Sequence, residues 1–104
     1  MARLSEEERA AALAQLAEWR LVEGRDAIAR SFRFTGFTEA FAFMTAIALE
    51  AERADHHPEW SNVWNRVDVV LTTHSDRGLT AKDVALAKRI DALAALLASA
   101  PTGQ

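Results

Sequence analysis

The chain lacks several features that mark common protein classes. It contains no cysteine, which excludes a disulfide framework, a thiolate zinc site and a cysteine nucleophile. No apolar run approaches the roughly 20 residues of a membrane span, and residues 1–9 lack the apolar stretch of a signal peptide. Lysine and arginine form no cluster and the formal net charge is -3, which disfavours binding to a nucleic-acid backbone. We therefore expect a cytoplasmic protein that binds neither membranes nor nucleic acids.

Length and hydrophobicity predict a single domain. The 104 residues match a common domain size, and 50% of them are hydrophobic, so a real core can form across residues 1–104. A chain of this length removes only about two thirds of its unfolded surface from water, so its stability should be marginal. Self-association is therefore a reasonable expectation. The tail, about residues 100–104, is predicted to be disordered.

Helical periodicity and capping residues predict three helices. The first runs from Ser5 to about Ala17, where Ser5 and Glu8 form a capping box. The second begins with Thr38 as its cap and runs to about Arg53; the third opens with a second capping box, Thr80 and Asp83. Apolar residues at helical spacing should face a sheet. These are Phe37, Phe41, Met44, Ala48 and Ala51 in the second helix, and Leu86, Ile90, Leu93 and Leu97 in the third.

Two segments with a period of two predict β-hairpins. Leu21–Val22 and Ala27–Phe34 flank Gly24, which permits a tight reversal. Residues 63–73 also alternate, and a turn at Asn65–Arg66 could split them into a second hairpin. The order α-β-β-α-β-β-α predicts an α+β fold, a four-stranded antiparallel sheet with three helices on one face. The other face would be left open to substrate or partners.

Candidate chemistry gathers around the three histidines. His56 and His57 precede Pro58, which disfavours helical dihedrals at His57 and should end the second helix. His74 lies at the end of a predicted strand, and Asp83 lies in the first turn of the last helix. A histidine gives or takes a proton near neutral pH, so two of them close together suit a reaction that protonates one atom and deprotonates another.

Each of these residues also has a structural explanation. A histidine pair before a proline can simply terminate a helix, and Asp83 can serve only as a helix cap. Trp19 has the character of a core residue. Three histidines with a water molecule could alternatively form a catalytic zinc site. The sequence has no His-x-His or His-x-x-x-His spacing, however, and adjacent histidines diverge in an extended chain, so no metal ligand is assigned.

The arrangement resembles a known family. The run His-His-Pro-Glu-Trp-Ser-Asn-Val at residues 56–63, Thr-His at 73–74 and Gly-Leu-Thr-Ala-Lys-Asp at 78–83 are similar to the signature of the pterin-4a-carbinolamine dehydratases. The similarity covers about residues 19–91. It implies a hydro-lyase that converts 4a-hydroxytetrahydropterin to quinonoid dihydropterin in tetrahydrobiopterin recycling, without metal or organic cofactor. It also implies a homodimer or homotetramer.

The resemblance assigns roles residue by residue. His56, His57 and His74 match the catalytic histidines, and Asp83 matches the acid that supports them by orienting an imidazole. Glu52, Trp19 and Pro58 match positions at or near the pterin. Either His56 or His57 would protonate the departing hydroxyl and His74 would act as the base, although the sequence does not decide which histidine plays which part. Two departures from the family pattern, Trp64 and Arg77, affect packing and the rim of the site.

A binding module is the second hypothesis. Some proteins of this family act as coactivators through a partner's dimerisation helix, and others act as assembly factors. Such a role predicts an exposed apolar helix or sheet edge, which the Ala/Leu-rich last helix could supply. The complete set of three histidines and Asp83 favours the enzyme.

Overall fold

The computed structural model describes residues 2–98 and has the predicted order of elements. The helices are α1 (Glu6–Ala14), α2 (Phe37–Ala54) and α3 (Ala81–Ala98). The strands are β1 (Arg20–Leu21), β2 (Ile28–Arg33), β3 (Glu59–Val63) and β4 (Arg66–Leu71), and a single 3₁₀ turn covers His74–Asp76. The predicted disordered tail lies outside the described residues.

All four strands join into one antiparallel sheet, in the order β1-β2-β4-β3. The two predicted hairpins are confirmed, and they join where β2 pairs with β4. Thr72 and Thr73 follow the end of β4, and residues 55–58 precede β3, so both segments lie at the same end of the sheet. The loop between β1 and β2 reaches this end as well, because Ile28 pairs with Leu71.

The core lies between one face of the sheet and the helices. In β4, Val67, Val69 and Leu71 are fully buried, whereas the alternate residues are partly exposed. Each buried residue removes apolar surface from water on the side where the helices pack. The predicted arrangement of three helices on one face is therefore confirmed. The last helix contributes its predicted stripe, with Leu86 and Ile90 buried and Leu93 and Leu97 partly buried against the same core.

The predicted face of α2 is partly wrong. Phe37 and Phe41 are 51% and 54% exposed, and Ala48 is exposed too. The buried face consists of Ala40, Phe43, Ile47 and Ala51, with Met44 half-buried. Both sets follow helical spacing, so periodicity alone could not choose between them. The helix also begins one residue before the predicted cap Thr38, because Gly36 occupies the N-cap position.

Other boundaries also differ from the prediction, among them β1, which is predicted at Leu21–Val22 and lies at Arg20–Leu21. The first helix keeps its Ser5–Glu8 capping box but ends at Ala14, and Leu16 is buried in the turn that follows. Strand β3 begins at Glu59, and its turn to β4 lies at Trp64 and Asn65, one residue earlier than predicted. Trp64 takes the left-handed conformation with φ 51°, a rare choice for a bulky residue. Strand β3 is an edge strand with polar residues on both faces, so its sequence shows little alternation of apolar and polar residues. Its start was therefore hard to predict.

Candidate active site

All three histidines of the chain line one cleft at the end of the sheet. The cleft has a volume of about 380 Å³. Its lining residues come from the segment after α2, the residues between β4 and the 3₁₀ turn, the turn itself and the start of α3: Asp55, His56, His57, Pro58, Thr72, Thr73, His74, Ser75 and Lys82. The structure therefore brings together His56, His57, Pro58 and His74, which were singled out from the sequence.

The end of α2 sends the adjacent histidines in different directions. Asp55 adopts the left-handed conformation at the helix C-cap, with φ 53°, and the amide of His56 donates back to the carbonyl of Ala51 at 3.0 Å. Pro58 then prevents the helix from resuming. As a result His56 is only 8% exposed, whereas 59% of the His57 side chain is exposed.

His56 is held by a fully buried carboxylate. Its Nε2 lies 2.6 Å from Oδ1 of Asp83, a residue with no exposed surface. The other oxygen of Asp83 accepts a hydrogen bond from Thr73 Oγ1 at 2.7 Å and one from the Thr80 amide at 2.9 Å. The Thr80 bond is the predicted capping contact. Asp83 thus caps α3 and binds a histidine at the same time, so the two sequence-based explanations of this residue are compatible.

His57 has a more exposed partner. Its Nε2 lies 3.0 Å from Oε1 of Glu52, which precedes it by about one helical turn on α2. The Glu52 side chain is 82% exposed, and it borders His57 without lining the cleft. This pair has solvent on most sides, so its geometry is less restricted than that of the His56–Asp83 pair.

His74 belongs to a three-residue network that sequence reasoning missed. Its Nε2 lies 2.8 Å from Oε2 of Glu59, the first residue of β3. Arg25, in the loop between β1 and β2, donates to both oxygens of Glu59, at 2.9 Å and 2.8 Å. The hydrogen bond from Arg25, followed by the one from His74, lowers the pKa of Glu59 to about 2. Glu59 follows the histidine pair closely in sequence. No feature of the sequence, in contrast, indicates that Arg25 in the β1–β2 loop would reach it.

Trp19 lies in the core. It is 5% exposed, its Nε1 donates to Oδ1 of Asp91 at 2.8 Å, and its ring meets Phe32 edge-on. Arg30 donates to the same Asp91 oxygen at 2.8 Å. Trp19 does not line the histidine cleft, so the structural contacts explain its burial, and its assignment to the pterin site stays a prediction.

Volume alone does not select the histidine cleft. A groove of about 430 Å³ runs between α1 and α3, but its lining is largely alanine, with Glu8, Gln15 and Lys88 as the polar residues. Groups able to transfer protons near neutral pH converge only at the histidine cleft, judged over residues 2–98. Within those residues, no three His, Asp or Glu side chains form a group that could hold a metal ion. Nor is any helix there long and apolar enough to cross a membrane.

Residues 2–93 match the family model described as pterin 4 alpha carbinolamine dehydratase. The chain belongs to the pterin-4a-carbinolamine dehydratase family. A Rhizorhabdus wittichii relative, provisionally named a pterin-4-alpha-carbinolamine dehydratase, is 63% identical over 91 residues, which cover 88% of this chain and 94% of that protein. A Rhodopseudomonas palustris relative with the same provisional name is 61% identical over 92 residues, or 88% of this chain and 91% of that protein.

Solved structures of dehydratase relatives share the fold. A Brucella melitensis protein, described as a transcriptional coactivator/pterin dehydratase, superposes with a TM-score of 0.87 and 52% identity, covering 88% of this chain and 98% of that one. A pterin dehydratase-like protein identified as a RuBisCO assembly factor in the alpha-carboxysome has a TM-score of 0.66 and 27% identity, covering 74% and 89%. Dehydratase-family members are thus described in more than one role.

Proposed function

We propose that this chain is a cytoplasmic hydro-lyase that dehydrates 4a-hydroxytetrahydropterin to quinonoid dihydropterin in tetrahydrobiopterin recycling. The observation that carries the proposal is the cleft itself: three histidines converge there, and each has a carboxylate bonded to its Nε2. A binding scaffold has no need of three such pairs at one end of its sheet. Family membership supplies the substrate class.

The reaction needs two proton transfers at neighbouring atoms. Loss of water breaks the C4a–O bond and the N5–H bond and forms a C4a=N5 double bond, with no net oxidation or reduction. The hydroxyl leaves readily only when a general acid protonates it, and a general base must accept the proton from N5. Each of these groups contributes roughly 10²–10⁴-fold in rate.

The three histidines divide these tasks in our proposal. His57 or His56 protonates the departing hydroxyl, and His74 accepts the N5 proton. The exposed rings of His57 and His74 can then return to their starting states by exchange with solvent. Asp83 fixes the ring of His56 through the hydrogen bond to its Nε2. Glu52 and Pro58, which adjoin His57, are assigned to substrate binding, and Trp19 is assigned there on the family resemblance alone.

A stopped-flow ultraviolet assay tests the proposal directly. It follows the decay of chemically generated 4a-hydroxytetrahydropterin with wild type, His57→Ala and His74→Ala. Because both rings are exposed, these variants should fold normally and lose at least tenfold in turnover. Glu50→Gln is a suitable control, since Glu50 pairs with Arg89 and contacts no histidine. Absence of saturable acceleration by folded wild-type protein would refute the dehydratase proposal.

A second role, protein association, is favoured by one surface. Phe37, Phe41 and Leu49 lie along the side of α2 away from the core, at 51%, 54% and 67% exposure; we call them the α2 apolar strip. The rings of Phe37 and Phe41 contact each other, with centroids 5.7 Å apart. Several large apolar side chains exposed on one helix are typical of an interaction site. We propose that the strip mediates the homodimer or homotetramer and could also receive a partner protein's helix.

The mass of the protein in solution tests the role of the strip. Wild type should run as a dimer or tetramer in size-exclusion chromatography with light scattering, and Phe41→Ser with Leu49→Ser should give a smaller species. Both side chains are more than half exposed, so the substitutions should leave the fold intact. An unchanged mass in the folded double variant would show that the strip does not mediate self-association.

A further inference from the structure

Three side chains from separate elements meet beside the cleft. Arg25 comes from the β1–β2 loop, Glu59 from the start of β3 and His74 from the 3₁₀ turn. Arg25 donates one hydrogen bond to each oxygen of Glu59, at 2.9 Å and 2.8 Å. The second of these oxygens also lies 2.8 Å from Nε2 of His74. The planar guanidinium therefore fixes the plane and position of the carboxylate to which the histidine is bonded.

Stability alone does not account for this network. The side chains of Arg25, Glu59 and His74 are 44%, 38% and 69% exposed. Ion pairs with that much solvent contact contribute little to folding, because water screens them and long side chains lose freedom when they form. The network does, however, fix the orientation of a ring that lines the cleft. A role in positioning is therefore a better explanation than a role in folding.

The other two histidines make the distinction clearer. Asp83 holds His56 from inside the protein, where packing restricts both partners. Glu52 contacts His57 from an 82% exposed position, and among residues 2–98 no other side chain forms a hydrogen bond or ion pair with its carboxylate. His74 is more exposed than His57, yet the carboxylate that it contacts is bound in turn by an arginine. Among the two exposed imidazoles, His74 is thus the one whose carboxylate partner is itself held by a second residue, Arg25.

We propose that Glu59 and Arg25 are positioning residues for His74, an inference that rests on the function proposed above. Glu59 engages Nε2 and so presents Nδ1 to the ligand in the cleft, and Arg25 acts through Glu59 by holding its carboxylate in place. Neither residue touches the reacting atoms. Removing Glu59 should release the ring of His74, and removing Arg25 should loosen it to a smaller degree.

Kinetics of single and double variants test the order of action. Glu59→Gln should lower kcat on the order of tenfold, and Arg25→Gln about threefold, with little change in KM, since a mispositioned catalytic group costs rate more than binding. Because Arg25 acts through Glu59, the double variant should be no slower than Glu59→Gln alone. Glu50→Gln removes a comparable two-bonded pair with Arg89 and should leave kcat unchanged. Multiplied losses in the double variant would overturn the proposal.

Nuclear magnetic resonance gives a readout that does not depend on turnover. The Nε2–H proton of His74 should be observable in wild type, because the bond to Glu59 slows its exchange with water, and should disappear in Glu59→Gln. Side-chain relaxation should show a more mobile His74 ring in both variants. If the wild-type protein has no dehydratase activity but these changes occur, the proposed reaction is wrong and the positioning stands. A His74 ring equally ordered in wild type and Glu59→Gln would overturn the positioning itself.

Discussion

Replacing Asp83 should lower the free energy of unfolding by more than replacing an acid on the protein surface. Asp83 is fully buried and accepts hydrogen bonds from three groups: the His56 ring, the Thr73 hydroxyl and the Thr80 amide. Asp83→Asn keeps one amide oxygen for Thr73 and Thr80 but turns an NH₂ group toward His56. The lost bond to a charged acceptor should cost about 1.5–3 kcal/mol.

Asp83→Ala should be worse by a measurable margin. It leaves the His56 ring and the Thr80 amide without their acceptor and leaves the Thr73 hydroxyl with only the Thr80 hydroxyl, 2.8 Å away. Breaking a buried polar network by removing one partner costs about 3–5 kcal/mol. The order of stability should therefore be wild type, Asp83→Asn, Asp83→Ala, with at least about 1 kcal/mol between the last two. The difference arises because asparagine still satisfies the capping amide.

Urea unfolding followed by circular dichroism at pH 7 measures these differences. Asp68→Asn is the matched control, because Asp68 bonds Ser31 and Arg66 on the open face of the sheet, and its loss should cost no more than about 1 kcal/mol. If Asp83→Ala and Asp83→Asn are equally stable, or both match wild type, the buried network is not a determinant of stability and the reasoning fails.

Three further predictions follow from single contacts. Glu59 has a folded pKa of about 2, below its ordinary value of 4.5, so its contribution to stability is present above pH 4.5 and is lost as the pH falls toward 2. Solvent exposure limits this contribution to about 1 kcal/mol. In urea unfolding, the stability advantage of wild type over Glu59→Gln should shrink across that pH window, and a constant advantage would contradict the assignment. Gly78→Ala should destabilise by about 1–2 kcal/mol, because the new Cβ would lie 2.3 Å from Oδ2 of Asp26; an unchanged urea midpoint would show that Asp26 moves freely. On one helix, Phe43→Ala should cost about 3–5 kcal/mol, since Phe43 is fully buried with two ring centroids 4.8 Å away. At a concentration where the protein is monomeric, Phe41→Ala should cost less than about 1 kcal/mol, because its ring reaches solvent. Equal losses in thermal unfolding would mean that the faces of α2 are assigned wrongly.

Sequence reasoning succeeded where one local pattern had one interpretation. The alternation of Val67, Val69 and Leu71 predicted a strand with one buried face, and that face is buried. The capping box at Ser5 and Glu8 marked the start of α1 correctly. On α2 the same approach failed, because the helix carries two apolar stripes, one facing the core and one facing solvent. Both stripes repeat with helical spacing. Only the packing of the sheet decides that Phe43 is inside and Phe41 outside.

The candidate site was predictable to the extent that its residue types suit proton transfer. The three histidines were singled out because they titrate near neutral pH, and all three do line one cleft. Their carboxylate partners are harder to find, because Asp, Glu and Arg are common on any surface and partner choice depends on where three elements end. Arg25 lies 34 residues from Glu59, and the two meet only because the β1–β2 loop and the start of β3 share one end of the sheet.

The three histidine–carboxylate pairs differ in burial, so they differ in what they contribute to folding. Only the His56–Asp83 pair is enclosed, and its carboxylate also caps α3, so a change there alters stability and the cleft together. His57 and His74 pair with Glu52 and Glu59 in solvent, where ion pairs add little to the free energy of unfolding. Substitutions at these exposed pairs should therefore leave the fold intact, so that a change in turnover would report on the proposed proton transfer. A change at the enclosed pair would therefore mix a folding effect with any effect on the proposed reaction, whereas a change at the exposed pairs would not.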